Sequence, residues 1–290
     1  MNGTNEGVSQ LLRGFYTAAS GMIAQQRRTE MLTNNISNAN TPGYKADQSS
    51  LRAFPEMLLS SFDQKTVSTK KGLQLPVANY VGALNTGVYT QETIPAFKQG
   101  DIQETQNSTD IALVDQFMPV NGENGEDGSI FFSVRGEQGA MRYTRNGNFT
   151  VDQQGYLTIP TGQYVLGASG QSIQVGNDAF TIDEEGNVFA QDGRRIDSLR
   201  IAFAANPYNL IKEGNGLYRL SNEGQDLPLA TQNAAVQYSV KQGFLERSNV
   251  DASRSMTDMM TAYRAFEANQ KVLQAFDRSL EKTVNEVGKV

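Results

Sequence analysis

The sequence contains no cysteine, no histidine and no tryptophan. Without cysteine the chain can form no disulfide, no thiolate nucleophile and no cysteine-ligated metal centre. Without histidine it lacks the commonest general base and metal ligand near neutral pH. Only carboxylate or lysine chemistry stays open to an enzyme, and no catalytic residue, cofactor or metal site is expected. Basic residues are in deficit: 25 Lys and Arg stand against 31 Asp and Glu, a formal charge of -6. That balance argues against a nucleic-acid or anionic-membrane partner. No apolar run nears the roughly 20 residues of a membrane helix, so no membrane insertion is expected. No apolar core follows a basic start, so no cleavable signal peptide of the usual kind is expected. The chain would then be cytoplasmic or exported by another route.

What is present is a chain of 290 residues, 38% hydrophobic and 19% charged, with 27 glycines and 8 prolines. That length supports one large or two modest domains, and the glycines imply many turns. Residues 1–10 are polar and glycine-containing and read as a flexible leader. From Leu11 the apolar positions Leu12, Phe15, Tyr16, Ala19, Met22, Ile23, Leu32 and Ile36 begin in steps of three and four, which are helical steps. A helix from about Leu11 to Ser37 would be roughly 40 Å long. At the other end Met259, Tyr263, Phe266, Leu273, Leu280, Val284 and Val287 keep a seven-residue repeat, with Gln270 and Asp277 in the skipped positions. Met256, Met260, Val272 and Phe276 lie beside that seam, and Asp251 or Ser255 could cap its start. The pattern predicts a left-handed coiled-coil seam, against the plainer alternative of an ordinary core-facing helix.

Between the helices the period changes. Residues 46–97 read as an extended linker, with a short amphipathic helix over Leu51, Phe54, Met57, Leu58 and Phe62 and Pro55 in its first turn. Residues 98–249 read as a β domain. Leu199, Ile201 and Phe203 alternate as in a half-buried strand, and Ile130 to Val134 is a short apolar run. Asn146-Gly147, Gly162, Asp192-Gly193 and Asn215-Gly216 read as tight turns. Phe149 to Gly155 matches Phe180 to Gly186 at an offset of 31, and Gly162 and Gly193 keep that offset. Two copies are too few for a solenoid and suggest two similar hairpins. Asn121 to Gly128 forms an acidic, glycine-rich loop. Asp152-x-x-Gly155 and Asp183-x-x-Gly186 lack the ligand pattern of a calcium loop. Arg27-Arg28 and Arg194-Arg195 are too sparse for a phosphate-tracking groove.

The run Asn34-Asn-Ile-Ser-Asn-Ala-Asn-Thr-Pro-Gly-Tyr-Lys45 is the most distinctive stretch. Asparagine is a poor helix former, Pro42 bars helical continuation and Gly43 permits a left-handed turn. One reading is a helix end followed by a turn. The other is a docking surface for copies of the same fold, built on Asn34, Asn35, Asn38, Thr41, Pro42, Gly43 and Tyr44.

Leu12 to Met22 together with Leu32 to Tyr44 resembles the amino-terminal motif of bacterial flagellar rod and hook proteins. Tyr143 to Gly147, Phe149 to Gly155, Leu217-Tyr218, Gln242 to Val250 and Ala262 to Asn269 resemble the same family in the same order. Distal-rod-like basal-body proteins are the nearest pattern, from which residues 46–62 and the 121–128 loop depart. The resemblance implies an α+β fold: residues 11–45 plus 250–290 as a paired helical domain, with a β-rich domain between. It implies export through the flagellar type III apparatus and polymerisation with copies of itself and with other rod or hook subunits. The assembly residues it points to are Leu12, Phe15, Tyr16, Met22, Ile23 and Leu32, the Asn34–Tyr44 run, and Met259, Tyr263, Phe266, Asn269, Leu273 and Leu280. The competing readings are a hook-type subunit, a non-assembling extracytoplasmic binding module, and a carboxylate enzyme such as a glycosidase.

Overall fold

The computed structural model describes residues 3–67, 73–120, 125, 127–136, 139–221, 226–282 and 285. Helix α1 spans Gly3–Ser37 and helix α2 spans Ala252–Lys282, with a β-rich region between them. The fold class is therefore α+β. Val284, Val287, the side chain of Leu12 and most of the 121–128 loop lie outside the described residues.

Helix α1 begins at Gly3, so residues 3–10 lie within it. Extending an existing helix costs far less than nucleating one, which lets it run through Gly7. Its C-terminus tightens where the asparagines begin. The Asn38 amide bonds the carbonyls of both Asn34 and Asn35 at 3.1 Å, and the Ala39 amide bonds that of Ile36.

The chain divides into two compact units. The first holds α1 up to Thr33, residues Ser49–Thr93, and α2 from Arg254. Its middle segment is neither linker nor helix. Strand Met57–Val67 pairs antiparallel with Leu73–Leu84, and Asp47–Ala53 pairs with Val88–Pro95. Pro55 biases Phe54 away from helical torsions, and Pro76 excludes a helix further on. The apolar set around Leu51 and Phe54 therefore serves strands, with the Phe54 and Tyr89 rings 5.3 Å apart. Residues 86–90 run along α1: the Val88 amide bonds Ser20 Oγ and Thr90 Oγ1 bonds the Ala24 carbonyl, each at 3.3 Å.

The two helices meet antiparallel. Phe276 lies over Gly14, Asn269 lies over Gly21, and Thr33 Oγ1 is 3.6 Å from Met259 Sδ. On α2 the inward positions are Ser255, Met259, Ala262, Phe266, Asn269, Leu273, Phe276 and Leu280, alternating steps of four and three. The heptad period is as expected, but Tyr263, Gln270 and Asp277 are exposed rather than on the seam. Small residues take several of the buried places, with Ala262 on α2 and Ala18 and Ala24 on α1 beside the larger Leu32. Glycine opposite phenylalanine is the large-against-small pairing that close packing favours.

The second unit holds Asn34–Gln48 and Ile94–Ser253. Its largest sheet has eight antiparallel strands, and strand Ser129–Arg135 is its hub, pairing Met141–Thr144, Tyr164–Val165 and Ile201–Ala204. Ile130, Phe132 and Val134 face the larger hydrophobic core, while Phe131 faces a smaller one with Tyr143, Leu210 and Tyr218. Strand Ile201–Ala204 is buried on both faces, not one. Ile201 and Phe203 join the larger core, and Ala202 and Ala204 join the smaller.

The internal repeat is a repeated hairpin. Asp152 Oδ1 accepts the amides of Gln154 and Tyr156, and Asp183 Oδ1 accepts those of Glu185 and Asn187. Gly155 and Gly186 follow at φ 83° and 88°, a region open to glycine without penalty. Phe149 and Phe180 are both buried in the larger core. Asn215-Gly216 turns the chain with two positive φ angles. Asn146-Gly147 is not a turn of this kind: Gly147 lets the backbone of Ile111 approach, and its carbonyl accepts the Ile111 amide at 3.0 Å.

Candidate functional site

The Asn34–Lys45 run folds inward, onto its own unit. Asn35 is 3% exposed. Its amide donates to the Asp47 carbonyl and its Oδ1 accepts the Asp47 amide, both at 2.8 Å. The side chain thus imitates a paired strand and fixes the chain leaving the turn. Tyr44 is buried, and its hydroxyl donates to Asn34 Oδ1 at 2.6 Å. Burial, then the charge of Asp47, pushes that hydroxyl well above the ordinary tyrosine range. Lys212 Nζ sits 3.7 Å above the Tyr44 ring and 3.0 Å from Asp47 Oδ1. Asn38 donates to the Asn34 carbonyl and accepts from Thr41 Oγ1. Pro42 is half-buried and closes the turn. Gly43 has φ 68°, and a methyl group there would overlap the Arg145 backbone. Its amide bonds the Glu246 carbonyl at 2.8 Å.

Beside this turn lies a buried charge cluster. Lys45 Nζ is 2.6 Å from Glu246 Oε1 and 2.8 Å from the Lys98 carbonyl. Arg145 Nε is 2.6 Å from Glu246 Oε2, and its terminal nitrogens reach Asp115 Oδ2 at 2.9 Å and the Ile130 carbonyl at 2.7 Å. The Gly100 amide completes the shell of Glu246 Oε1 at 2.9 Å. Lys45, Arg145 and Glu246 are each at most 2% exposed. Burial, reinforced by Arg145, lowers the Lys45 ammonium to about 8. Burial alone would raise Glu246, but Arg145 and Lys45 outweigh it and hold the carboxylate below its usual range. Arg145 thus bridges Glu246 and the partly exposed Asp115, while Lys45 pairs the other Glu246 oxygen.

None of these three charges was singled out by sequence reasoning. The available signal was position: Arg145 and Glu246 stand inside stretches that carried the family resemblance, and Lys45 ends the asparagine-rich run. The helix residues that were singled out divide into two faces. Leu32 is buried, and Phe15, Met22, Met259, Phe266, Asn269, Leu273 and Leu280 are half-buried on the inner sides. Tyr16, Ile23 and Tyr263 are exposed at 66%, 50% and 56%, and Met256, Met260 and Val272 join them outside. Among the described residues no helix is long and apolar enough to cross a membrane.

Three family models match the chain. "Flagella basal body rod protein" covers residues 15–45, "Flagellar hook protein FlgE/F/G D1 domain" covers 127–190, and "Flagellar basal body rod FlgEFG protein C-terminal" covers 241–286. The chain is 46% identical over 280 residues to the flagellar hook-basal body complex protein FlhO of Bacillus subtilis, covering 97% of this chain and all of that one. It is 31% identical to the flagellar basal-body rod protein FlgG of Agrobacterium fabrum, over 92% of this chain and 96% of the relative. It is 29% identical to FlgG of Borreliella burgdorferi, over 93% and 97%. The matched stretches contain the asparagine turn, Arg145, Glu246 and both helices, and the chain belongs to the flagellar basal-body rod and hook protein family.

Proposed function

We propose that this structural subunit of the flagellar basal body polymerises through the outer faces of α1 and α2. The observation that carries the reading is the exposure of Tyr16 and Ile23, seven residues apart on α1, and of Met256, Met260 and Tyr263, in steps of four and three on α2. Large apolar residues concentrated on one face mark an interaction surface. Each Å² of apolar area covered by a neighbour contributes about 25 cal/mol, so repetition along a polymer sums many modest contacts. A contact between different patches that does not close into a ring generates a helical filament, here a tube. In this reading α1 and α2 pack as a coiled-coil-like pair, and their heptads extend to the helices of neighbours. The neighbours are copies of this chain and the other rod and hook subunits. The chain reaches the assembly through the flagellar export apparatus without a cleaved signal, transmits torque from motor to hook, and catalyses nothing.

Deleting the gene and imaging basal bodies tests the reading. Assembly should halt at a rod stage, leaving cells without hooks and filaments. Normal motile filaments in the deletion strain would overturn it. A hook-type subunit would instead leave complete rods.

A further inference from the structure

The second unit meets the rest of the chain at residues 33/34, 48/49, 93/94 and 253/254. Within that unit, the segments beside these four points converge on the Glu246 cluster. The incoming segment 43–46 is bonded directly to the outgoing segment 246–249. The Gly43 amide bonds the Glu246 carbonyl at 2.8 Å, and Lys45 bonds the Glu246 carboxylate at 2.6 Å. The Ala46 amide bonds Asn249 Oδ1 at 2.7 Å, and the Asn249 amide bonds the Tyr44 carbonyl at 3.3 Å. Asn249 Nδ2 also takes the carbonyls of Ala96 and Lys98, and the Ala96 amide bonds the Ala46 carbonyl at 2.8 Å. The third crossing segment is thereby held in the same place. Arg145 anchors the group to the hub strand through the Ile130 carbonyl.

We infer that this junction is a mechanical clamp: tension between the chain entering the second unit and the chain leaving it passes across residues 43–46 and 246–249, and bypasses the eight-stranded sheet. A force on residues 40 and 252 reaches these bonds before any strand of that sheet is loaded, and the strand that shares them is Phe244–Glu246, through its last residue. The Lys45–Glu246 bond among them is charge-assisted and buried, so water cannot substitute for it as it can at an exposed strand edge. The short hairpins of the sheet, several only two residues long, would otherwise be the weakest link. The inference rests on the rod reading for its purpose, but the clamp itself is a property of the single chain.

Because the chain has no cysteine, introduced thiols are unique handles. Asn40→Cys with Ala252→Cys, both at exposed positions, places the junction on the line of force. Gln154→Cys with Glu184→Cys, in the two repeated hairpin turns, leaves it off that line. Held at the same constant force, the 40/252 chain should outlast the 154/184 chain. Lys45→Met, which leaves Glu246 paired with Arg145, should shorten the 40/252 lifetime by roughly a hundredfold and leave the 154/184 lifetime unchanged. Equal shortening in both geometries would reduce the junction to ordinary stability and overturn the clamp, as would no change in either. If Lys45→Met does not fold, the comparison of the two geometries in the otherwise unaltered chain decides: a 40/252 lifetime equal to or below the 154/184 lifetime overturns it. A clamped chain that builds no rod sinks the rod reading alone. A chain that builds rods without the geometry dependence sinks the clamp alone.

Discussion

Glu246 holds two cations that would otherwise be stranded in the protein interior. Lys45 and Arg145 each approach one of its oxygens at 2.6 Å. Removing one member of a buried pair costs about 3–5 kcal/mol because the remaining charge keeps its desolvation penalty. Glu246→Gln should therefore destabilise the chain by about that amount at pH 7, measured as a shift of the urea midpoint. The pH dependence has a definite sign. The folded carboxylate titrates below the ordinary glutamate range, so its contribution is fully present above that range and is lost as pH falls through the lower folded value. The parent chain should lose more stability between pH 5 and pH 3 than Glu246→Gln does. Parallel losses in the two chains would show that acid acts elsewhere. This residue was illegible as a site for a simple reason: its partners stand 201 and 101 positions away along the chain. Periodicity reports local structure only. The asparagine turn was legible because Pro42 and Gly43 restrict the backbone locally. What its side chains bond to was not, and Asn35 proved to be a strand mimic for Asp47 rather than a free group on the surface.

Helix α2 shows how a correct period can carry an incorrect phase. The seven-residue period was readable from Met259, Phe266, Leu273 and Leu280, all of which face inward. The intervening places were read at Tyr263, Gln270 and Asp277. The structure puts Ala262, Asn269 and Phe276 there instead, with Ala262 2% exposed and Tyr263 56%. The hairpin repeat was readable for the opposite reason: an Asp that caps its own turn followed by glycine is a purely local device. The corrected phase separates two roles on α2 that substitution can distinguish. Phe266→Ala removes half-buried packing and should lower the stability of the isolated chain by about 2 kcal/mol. Tyr263→Ser alters an exposed position and should change it by less than about 0.5 kcal/mol. Polymerisation, followed by sedimentation, should nevertheless fail or slow for Tyr263→Ser. If Tyr263→Ser melts the helix as Phe266→Ala does, the exposed stripe is part of the monomer's own packing.

At the level of the whole chain the β-rich unit and helix α2 differ in how much they bury. Among the described residues the second unit has a core of 20 buried hydrophobic residues and a second cluster of six. In contrast, α2 runs 31 residues with Ala262 as its one fully buried position. Isolated helices are marginal in water, and most helical stability in proteins comes from packing an apolar face. A helix that packs so little of itself is held only weakly by its own chain. Residues 34–48 group with the β-rich unit, although those up to 45 were read with the helices, and their bonds reach Glu246, Asn249 and Lys212. Local opening requires less free energy where few buried contacts must be broken. Amide exchange in the free chain should therefore be fast along residues 13–33 and 256–280. It should be slow in strands Ile111–Phe117 and Gln237–Gln242, which pair along their length. Assembly covers the outer stripe, so exchange along both helices should slow by at least tenfold in the polymer while the strands change little. Helices already as protected as the strands in the free chain would mean that the monomer completes its own helical packing. The exposed stripe would then not be the surface on which the rod is built.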